Sequence, residues 1–145
     1  MSHAHSLQGA NRLILETLRQ SNKPLGAYDL LSALGAHGVK NPPTVYRALK
    51  RLVTLGLAHR VASLNAYVAC RREHKNHVVG FVVCRNCKHV EAFDDASLDA
   101  VIQKLGNQRH FQTEQRVVEL VGICQECAEI NENDESGGEA GTCSI

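Results

Sequence analysis

Apolar positions recur at helical spacing through the first third of the chain. Over 8–20, Leu13, Ile14 and Leu18 form one stripe among polar residues, which predicts a helix burying a single face. Ser21-Asn22-Lys23-Pro24 interrupts the pattern. A shorter helix is predicted over 28–36, with Leu30, Leu31 and Leu34 inward and the Gly35 and Gly38 region at its end. A third is predicted over 42–55. Asn41 can cap it, and Pro42-Pro43 sit at its opening, where a missing N–H leaves nothing unsatisfied. Val45, Leu49, Leu52 and Val53 fall on its core stripe, Thr44, Arg47 and Arg51 on the other side, and Tyr46 and Lys50 flank them.

The pattern then becomes strand-like. Segments 57–62 and 66–70 flank Ser63-Leu64-Asn65, so a short hairpin follows three helices, the outline of a winged helix. Further on, 78–83 is an apolar strand. Leu98, Val101, Ile102 and Leu105 mark a helix stopped at Gly106, and 111–123 reads as a long strand. The expected fold class is α+β, with a winged helix-turn-helix domain over 1–72 and a small αβ domain over 73–130. An acidic, Gly-containing tail over 131–145 is expected to be disordered.

With 145 residues, 43% of them hydrophobic, the chain has material for a core. No apolar run approaches the roughly 18 residues of a membrane span. The first residues lack a basic segment followed by an apolar one, so a cytoplasmic protein is expected. Charge changes the picture more. The net +1 conceals ten Lys+Arg against two acids in 1–72, and six against thirteen in 73–145. A basic half joined to an acidic half makes nucleic acid the first partner to consider, with a merely solubilising acidic tail as the alternative. Arg47 and Arg51 can bond guanine edges, while Thr44, Tyr46, Lys50 and Arg60 can hold phosphates. An ordinary solvated face is the competing reading of those charges.

Cysteine usage adds the chemistry. Cys84-Arg-Asn-Cys87 and Cys124-Gln-Glu-Cys127 are separated by 36 residues. Two such pairs can close a four-sulfur Zn²⁺ site with no open position, hence structural and not catalytic. A thioredoxin-like redox pair is disfavoured by the duplication and by the missing βαβ pattern, and buried thiols are the other alternative. His59, Cys70, His74 and His77 cluster where the basic and acidic halves meet. With an acid from Glu91, Asp94 or Asp95, Cys70, His59 and His77 offer a mixed sulfur and nitrogen site of the kind zinc prefers. Surface linker histidines and a buried strand cysteine are the bland reading.

Ala27-Tyr28-Asp29-Leu30-Leu31, Pro42-Pro43-Thr44-Val45-Tyr46-Arg47-Ala48-Leu49, Asn65-Ala66-Tyr67-Val68-Ala69-Cys70 and the paired C-x-x-C together carry a resemblance. Over residues 12–128 the chain resembles the ferric uptake regulator family, most closely its zinc uptake branch. The resemblance implies a homodimer with N-terminal winged helices and a C-terminal dimerisation domain, repressing metal-uptake genes when its regulatory metal is bound. It implies Cys84, Cys87, Cys124 and Cys127 as structural zinc ligands and His59, Cys70 and His77 as regulatory zinc ligands. Tyr28, Thr44, Tyr46 and Arg47 match its DNA-facing positions. Ala92 stands where the family has its acidic regulatory ligand. Glu91 is therefore the expected substitute, provided a bulge turns it inward, with Asp94, Asp95, His89 or water as alternatives. The family's leading helix is expected to be short or missing, and Cys143 to be a free tail thiol.

The expected function is a zinc-responsive repressor that binds inverted-repeat DNA operators as a homodimer. No catalysis, small-molecule substrate or membrane association is expected. An iron- or peroxide-responsive member of the family, or a zinc-stabilised thiol redox protein using Cys70 or Cys143, are the alternatives. A third metal site using His74, His89 and His110 is left open.

Overall fold

The structure, a computed structural model, describes residues 7–70 and 78–134. Three helices come first: α1 (Ala10–Gln20), α2 (Ala27–Leu34) and α3 (Pro42–Thr54). Their starts follow local chemistry. Asn41 Oδ1 accepts from the Thr44 amide at 3.0 Å and from its hydroxyl at 2.6 Å, capping α3, and prolines fill its first turn. At α2 the Gly26 amide donates to Asp29 Oδ2 at 2.8 Å. The expected end of α2 is shifted: the helix stops at Leu34 and a 3-10 turn covers Gly35–His37, closed by Gly38 at φ 92°.

The apolar stripes meet in one core. Ile14, Leu15 and Leu18 of α1, Leu30 and Leu34 of α2, and Val45, Ala48, Leu49 and Leu52 of α3 are buried together. Leu13, Leu31 and Val53 pack at its margin. Burying a side chain of this size stabilises by about 1.5–3 kcal/mol, so the bundle has an ample core of its own.

The wing follows as β1 (Ala58–Val61) and β2 (Ala66–Ala69), antiparallel, joined by a 3-10 turn over Ala62–Leu64. Asn65 takes φ 48° to complete the reversal. Leu25 pairs with Tyr67 across the other edge of the wing, tying it to the loop before α2.

The second half holds β3 (Val79–Cys84), β4 (Val90–Phe93), α4 (Ala96–Gln108), β5 (Val117–Gly122) and α5 (Gln125–Asp134). The sheet order is β4-β3-β5, with β3–β4 antiparallel and β3–β5 parallel. Its second core unites the two halves: Val61 of the wing is buried with Val79, Phe81 and Val83 of β3, and Leu64, Val68 and Val90 pack against them. One face of the sheet is therefore covered by the wing.

The other face is not covered. β5 is an edge strand; Val82 and Leu120 are exposed on this face, and Val121 is exposed at the edge. Among the described residues no side chain of α4 is buried, and Val101 and Leu105 face solvent. An open, apolar strand edge beside an uncovered helix is the profile of an unfinished sheet.

Three expectations are corrected, and one strand is additional. The strand expected over 111–123 is shorter, Val117–Gly122. β4 is four residues long and carries no period that sequence reading can detect. Gly106 does not stop α4, which runs to Gln108. The residue instead permits a close approach, since a Cβ there would meet Thr113 Oγ1 at 2.9 Å, and His110 at φ 52° makes the turn. Finally, α5 runs to Asp134, past the expected tail boundary at 130. The expected 72/73 domain boundary, His74, His77 and Cys143 lie outside the described residues.

Candidate metal centres and nucleic-acid interface

Parallel pairing assembles the four cysteines. β3 and β5 run side by side in register from Val79↔Val117 to Cys84↔Gly122, so both leave the sheet at the same end. The Arg85 amide donates to the Gly122 carbonyl at 2.9 Å, extending the pairing. Cys84 closes β3, and Cys87 follows in a tight turn in which the Lys88 amide donates back to the Cys84 carbonyl at 3.0 Å. Cys124 precedes α5, and Cys127 lies in its first turn. The four Sγ atoms lie within 4.8 Å of one another. A tetrahedron with Zn–S of about 2.3 Å has an S–S edge of about 3.8 Å; Cys87 Sγ and Cys124 Sγ are 3.8 Å apart. The residues fit zinc.

Their protonation chemistry says why a cation belongs there. The Cys124 amide, donating to Cys84 Sγ at 3.4 Å, together with the Cys87 and Asn86 amides, lowers the Cys84 thiol to about 6 against a burial effect that raises it. Cys124 and Cys87 resist ionisation. At Cys124 the Cys127 amide favours the thiolate, but the Cys127 thiol, burial, Cys84 and Cys87 outweigh it and push the group up to about 12. Cys87 is likewise raised: the His89 amide is outweighed by Cys84, burial and Cys127. One thiolate forms readily, and a dication offsets the repulsion that holds Cys87 and Cys124 protonated.

A second constellation lies where the wing meets the sheet. A cleft of about 470 Å³ is lined by His59 of β1, Cys70 just after β2, and the segment 90–94, with Lys23 and Pro24 at one side. The His59 ring stands 6.1 Å from the Phe81 ring, and its Nε2 is buried. The Cys70 amide donates to the Leu57 carbonyl at 2.8 Å, anchoring the residue by its backbone. A thiol and an imidazole on one cleft are a zinc-type donor set. Among the described residues only the four cysteines are already drawn together to within 4.8 Å.

Glu91 is among the residues that line this cleft, but no bulge turns its strand. β4 pairs regularly with β3, Phe81↔Ala92 and Val82↔Glu91, with no bulge. Paired residues share a face, so Glu91 points with exposed Val82 away from buried Phe81 and from His59. The bulge expected to turn Glu91 inward is absent. Of the alternatives, Asp95 caps α4, accepting from the Leu98 amide at 2.9 Å, and His89 lines a different cleft beside Ser63 and Leu64.

On the basic half, α3 presents Tyr46, Arg47, Lys50 and Arg51 to solvent. Tyr28 at the start of α2 is 70% exposed. Thr44 is half-buried, with its hydroxyl used at the Asn41 cap. Arg60 bonds Asn65 Oδ1 at 3.1 Å at the wing tip.

Residues 10–121 match the profile of the ferric uptake regulator family. The chain belongs to that family. It is 31% identical over 119 residues, 81% of this chain and 70% of the relative, to the zinc uptake regulation protein of Escherichia coli strain K12. Its structure resembles that of holo XcZur, with a TM-score of 0.73 and 31% identity, covering 85% of this chain and 86% of the other. A zinc uptake regulator complexed with zinc and DNA gives a TM-score of 0.77 at 29% identity, covering 87% and 85%.

Within this family member, one functional contact escaped sequence reading. Glu119 of β5 reaches across to the wing, accepting from the Ala62 amide and, at 3.1 Å, from the Ser63 amide. Partial burial works against its ionisation, but the Ser63 hydroxyl and amide, the Ala62 amide and the charge of Arg60 outweigh it and lower the pKa. A lowered carboxylate contributes stability that is complete above its ordinary value of 4.5 and lost as pH falls through the lowered one. Glu119→Gln is expected to cost about 1 kcal/mol at neutral pH, after solvent screening. Thermal melts of the variant and the parent should converge once pH drops below that window. An undiminished difference in acid would contradict the ionic origin of the contact.

Proposed function

We propose that this protein is a zinc-responsive transcriptional repressor that binds inverted-repeat DNA as a homodimer. The observation that carries the reading is the cleft between wing and sheet, where His59 and Cys70 offer zinc donors at the hinge of the DNA-binding half. One zinc per chain is held by Cys84, Cys87, Cys124 and Cys127 and maintains the C-terminal domain. A second, regulatory zinc is held at the hinge by His59 and Cys70, with His77 as the third ligand that the family pattern supplies.

Zinc at the hinge ties the wing to the sheet and so favours one arrangement of the DNA-binding domain. A metal that favours the DNA-competent arrangement must raise DNA affinity, and DNA must raise zinc affinity by the same factor. The uncovered edge of β5, with Leu120 and Val121, is the surface on which a second copy completes the sheet. Two copies present two α3 helices to successive major grooves. There Arg47 and Arg51 read base edges, while Tyr28, Thr44, Tyr46, Lys50 and Arg60 contact phosphates. Among the described residues no helix is long and apolar enough to cross a membrane.

The test is zinc content per chain before and after mild chelation, with binding to an inverted-repeat duplex measured in each state at several salt concentrations. Two zinc ions are expected, one of them labile and required for DNA binding. Affinity should fall steeply with salt, with a log–log slope of roughly −0.9 per phosphate contact. A single tight zinc with unchanged DNA affinity would remove zinc sensing. Recovery with ferrous iron alone would move the protein to the iron-responsive branch.

A further inference from the structure

The geometry points to Glu119 as a latch that holds the wing in the DNA-binding arrangement without metal, a role that rests on the zinc-responsive reading above. Strand register aims it. Glu119 pairs with Phe81, and paired residues share a face. That face carries the wing, since Phe81 is buried there with Val61. From it the Glu119 carboxylate reaches the 3-10 turn over Ala62–Leu64, which has no side-chain cap of its own. The Ala62 amide donates to Oε1, and the Ser63 amide donates to Oε2 at 3.1 Å. The partners stand 57 and 56 residues apart in the chain. Each oxygen takes one amide, so the contact is bidentate and charge-assisted and fixes direction as well as distance.

The neighbouring contacts are apolar. Val61, Leu64 and Val68 of the wing cluster with Phe81 and Val83 of β3. Such burial is non-directional and lets one surface slide over another; two hydrogen bonds to one carboxylate do not. β5 also supplies the reference point. It is the edge strand on which a second copy completes the sheet, so a wing fixed to Glu119 is fixed to the strand nearest the partner. The relative placement of the two α3 helices then depends on this contact. Zinc at the hinge and Glu119 tie the same two parts together, and both favour the same arrangement. Glu119 does so before zinc arrives, and thereby sets how far the metal must move the equilibrium.

The experiment uses the full-length dimer, zinc-loaded and depleted of labile zinc, with Glu119→Ala and Glu119→Gln. DNA affinity is measured on an inverted-repeat duplex at low salt, and hydrogen exchange is followed at the Ala62 and Ser63 amides. Glu119→Ala is expected to weaken DNA binding by the zinc-depleted protein roughly three- to tenfold, the factor that a net hydrogen-bond contribution imposes on an equilibrium. The zinc-loaded protein, already held by the metal, should change by less than about twofold. Affinity for the labile zinc should fall by the same factor as zinc-free DNA affinity, since both ligands select one arrangement. Glu119→Gln keeps one acceptor oxygen and should fall between parent and Glu119→Ala. The two amides should exchange faster in Glu119→Ala, while those of α3 keep the parent's rates. Equal loss of DNA affinity in both zinc states would indicate damage to the wing and would overturn the latch. Unchanged exchange at both amides would overturn it too, as would a zinc-depleted affinity equal to the parent's. A parent whose DNA affinity ignores zinc fails the zinc-responsive reading instead; exchange at Ala62 and Ser63, which needs no metal, still decides whether Glu119 holds the wing.

Discussion

Cys127→Ser will abolish the tight zinc site and unfold the C-terminal domain. Cys127 is buried in the first turn of α5, and its Sγ completes a set of four within 4.8 Å. Serine cannot supply a thiolate, and three sulfurs leave the tetrahedron open. The consequence is large because this half of the chain has little else to hold it. Its buried apolar residues are few, and α4 is not buried by its own subunit. Structural zinc contributes on the order of 10 kcal/mol of folding free energy in small domains. The net stability of a typical domain is about 5–15 kcal/mol, so losing the metal decides the outcome. Zinc analysis should show the loss of the tight ion, and sedimentation should show a loss of dimer. The α1–α3 bundle, with its separate core, should still give a helical signal and a thermal transition. A dimeric variant with full zinc content would refute the four-sulfur assignment.

Cys70→Ser will leave the dimer folded and make DNA binding indifferent to zinc. Cys70 is held through its backbone amide, which donates to Leu57 at 2.8 Å, and its side chain is only partly buried. Serine keeps that hydrogen bond and nearly the same volume, so the wing survives. What disappears is the sulfur donor on the cleft. The affinity ratio between zinc-loaded and zinc-depleted protein, expected at roughly 10–100-fold in the parent, should fall to about one. Because zinc binds thiolate and neutral imidazole, the parent's response should also weaken toward acid pH, where protons compete. Titration of an inverted-repeat duplex with and without zinc measures both effects. An undiminished zinc response in the variant would take the switch away from the hinge.

These two cysteine sites differ in how completely the structure presents them. The four-sulfur site is closed, because the parallel register of β3 and β5 brings its ligands to one place whatever the wing does. The proposed hinge donors His59 and Cys70 lie on β1 and just after β2, on a cleft that the β4 segment of the other half also lines. A site assembled across a junction responds to the relative position of its parts, which is the requirement for a switch. Glu119 adds a metal-independent contact at the same junction, holding the wing turn to β5 through Ala62 and Ser63.

Much of this was legible in the sequence, for reasons of range. The three helices, the Asn41 cap, the exposed basic side of α3 and the wing follow from spacings within about four residues, where capping and amphipathicity act locally. Two C-x-x-C pairs announce four zinc ligands because few other arrangements use thiols so regularly. The family membership rests on several such local motifs occurring in one order. Sheet pairing is a different matter. Nothing within residues 84–87 says that they meet 124–127; the parallel alignment of β3 with β5 decides it. Whether a four-residue strand bulges beside Glu91 was not legible, and the pairing of Gly80 with Phe93 shows a regular register. Gly106 reads as a helix stop until Thr113 is seen packed against it. Glu119 is one acid among thirteen in its half of the chain until β5 is laid beside the wing. Local periodicity determined the elements and the chemistry they carry, while tertiary structure decided which face each donor presents, because strand register is set by contacts far apart in sequence.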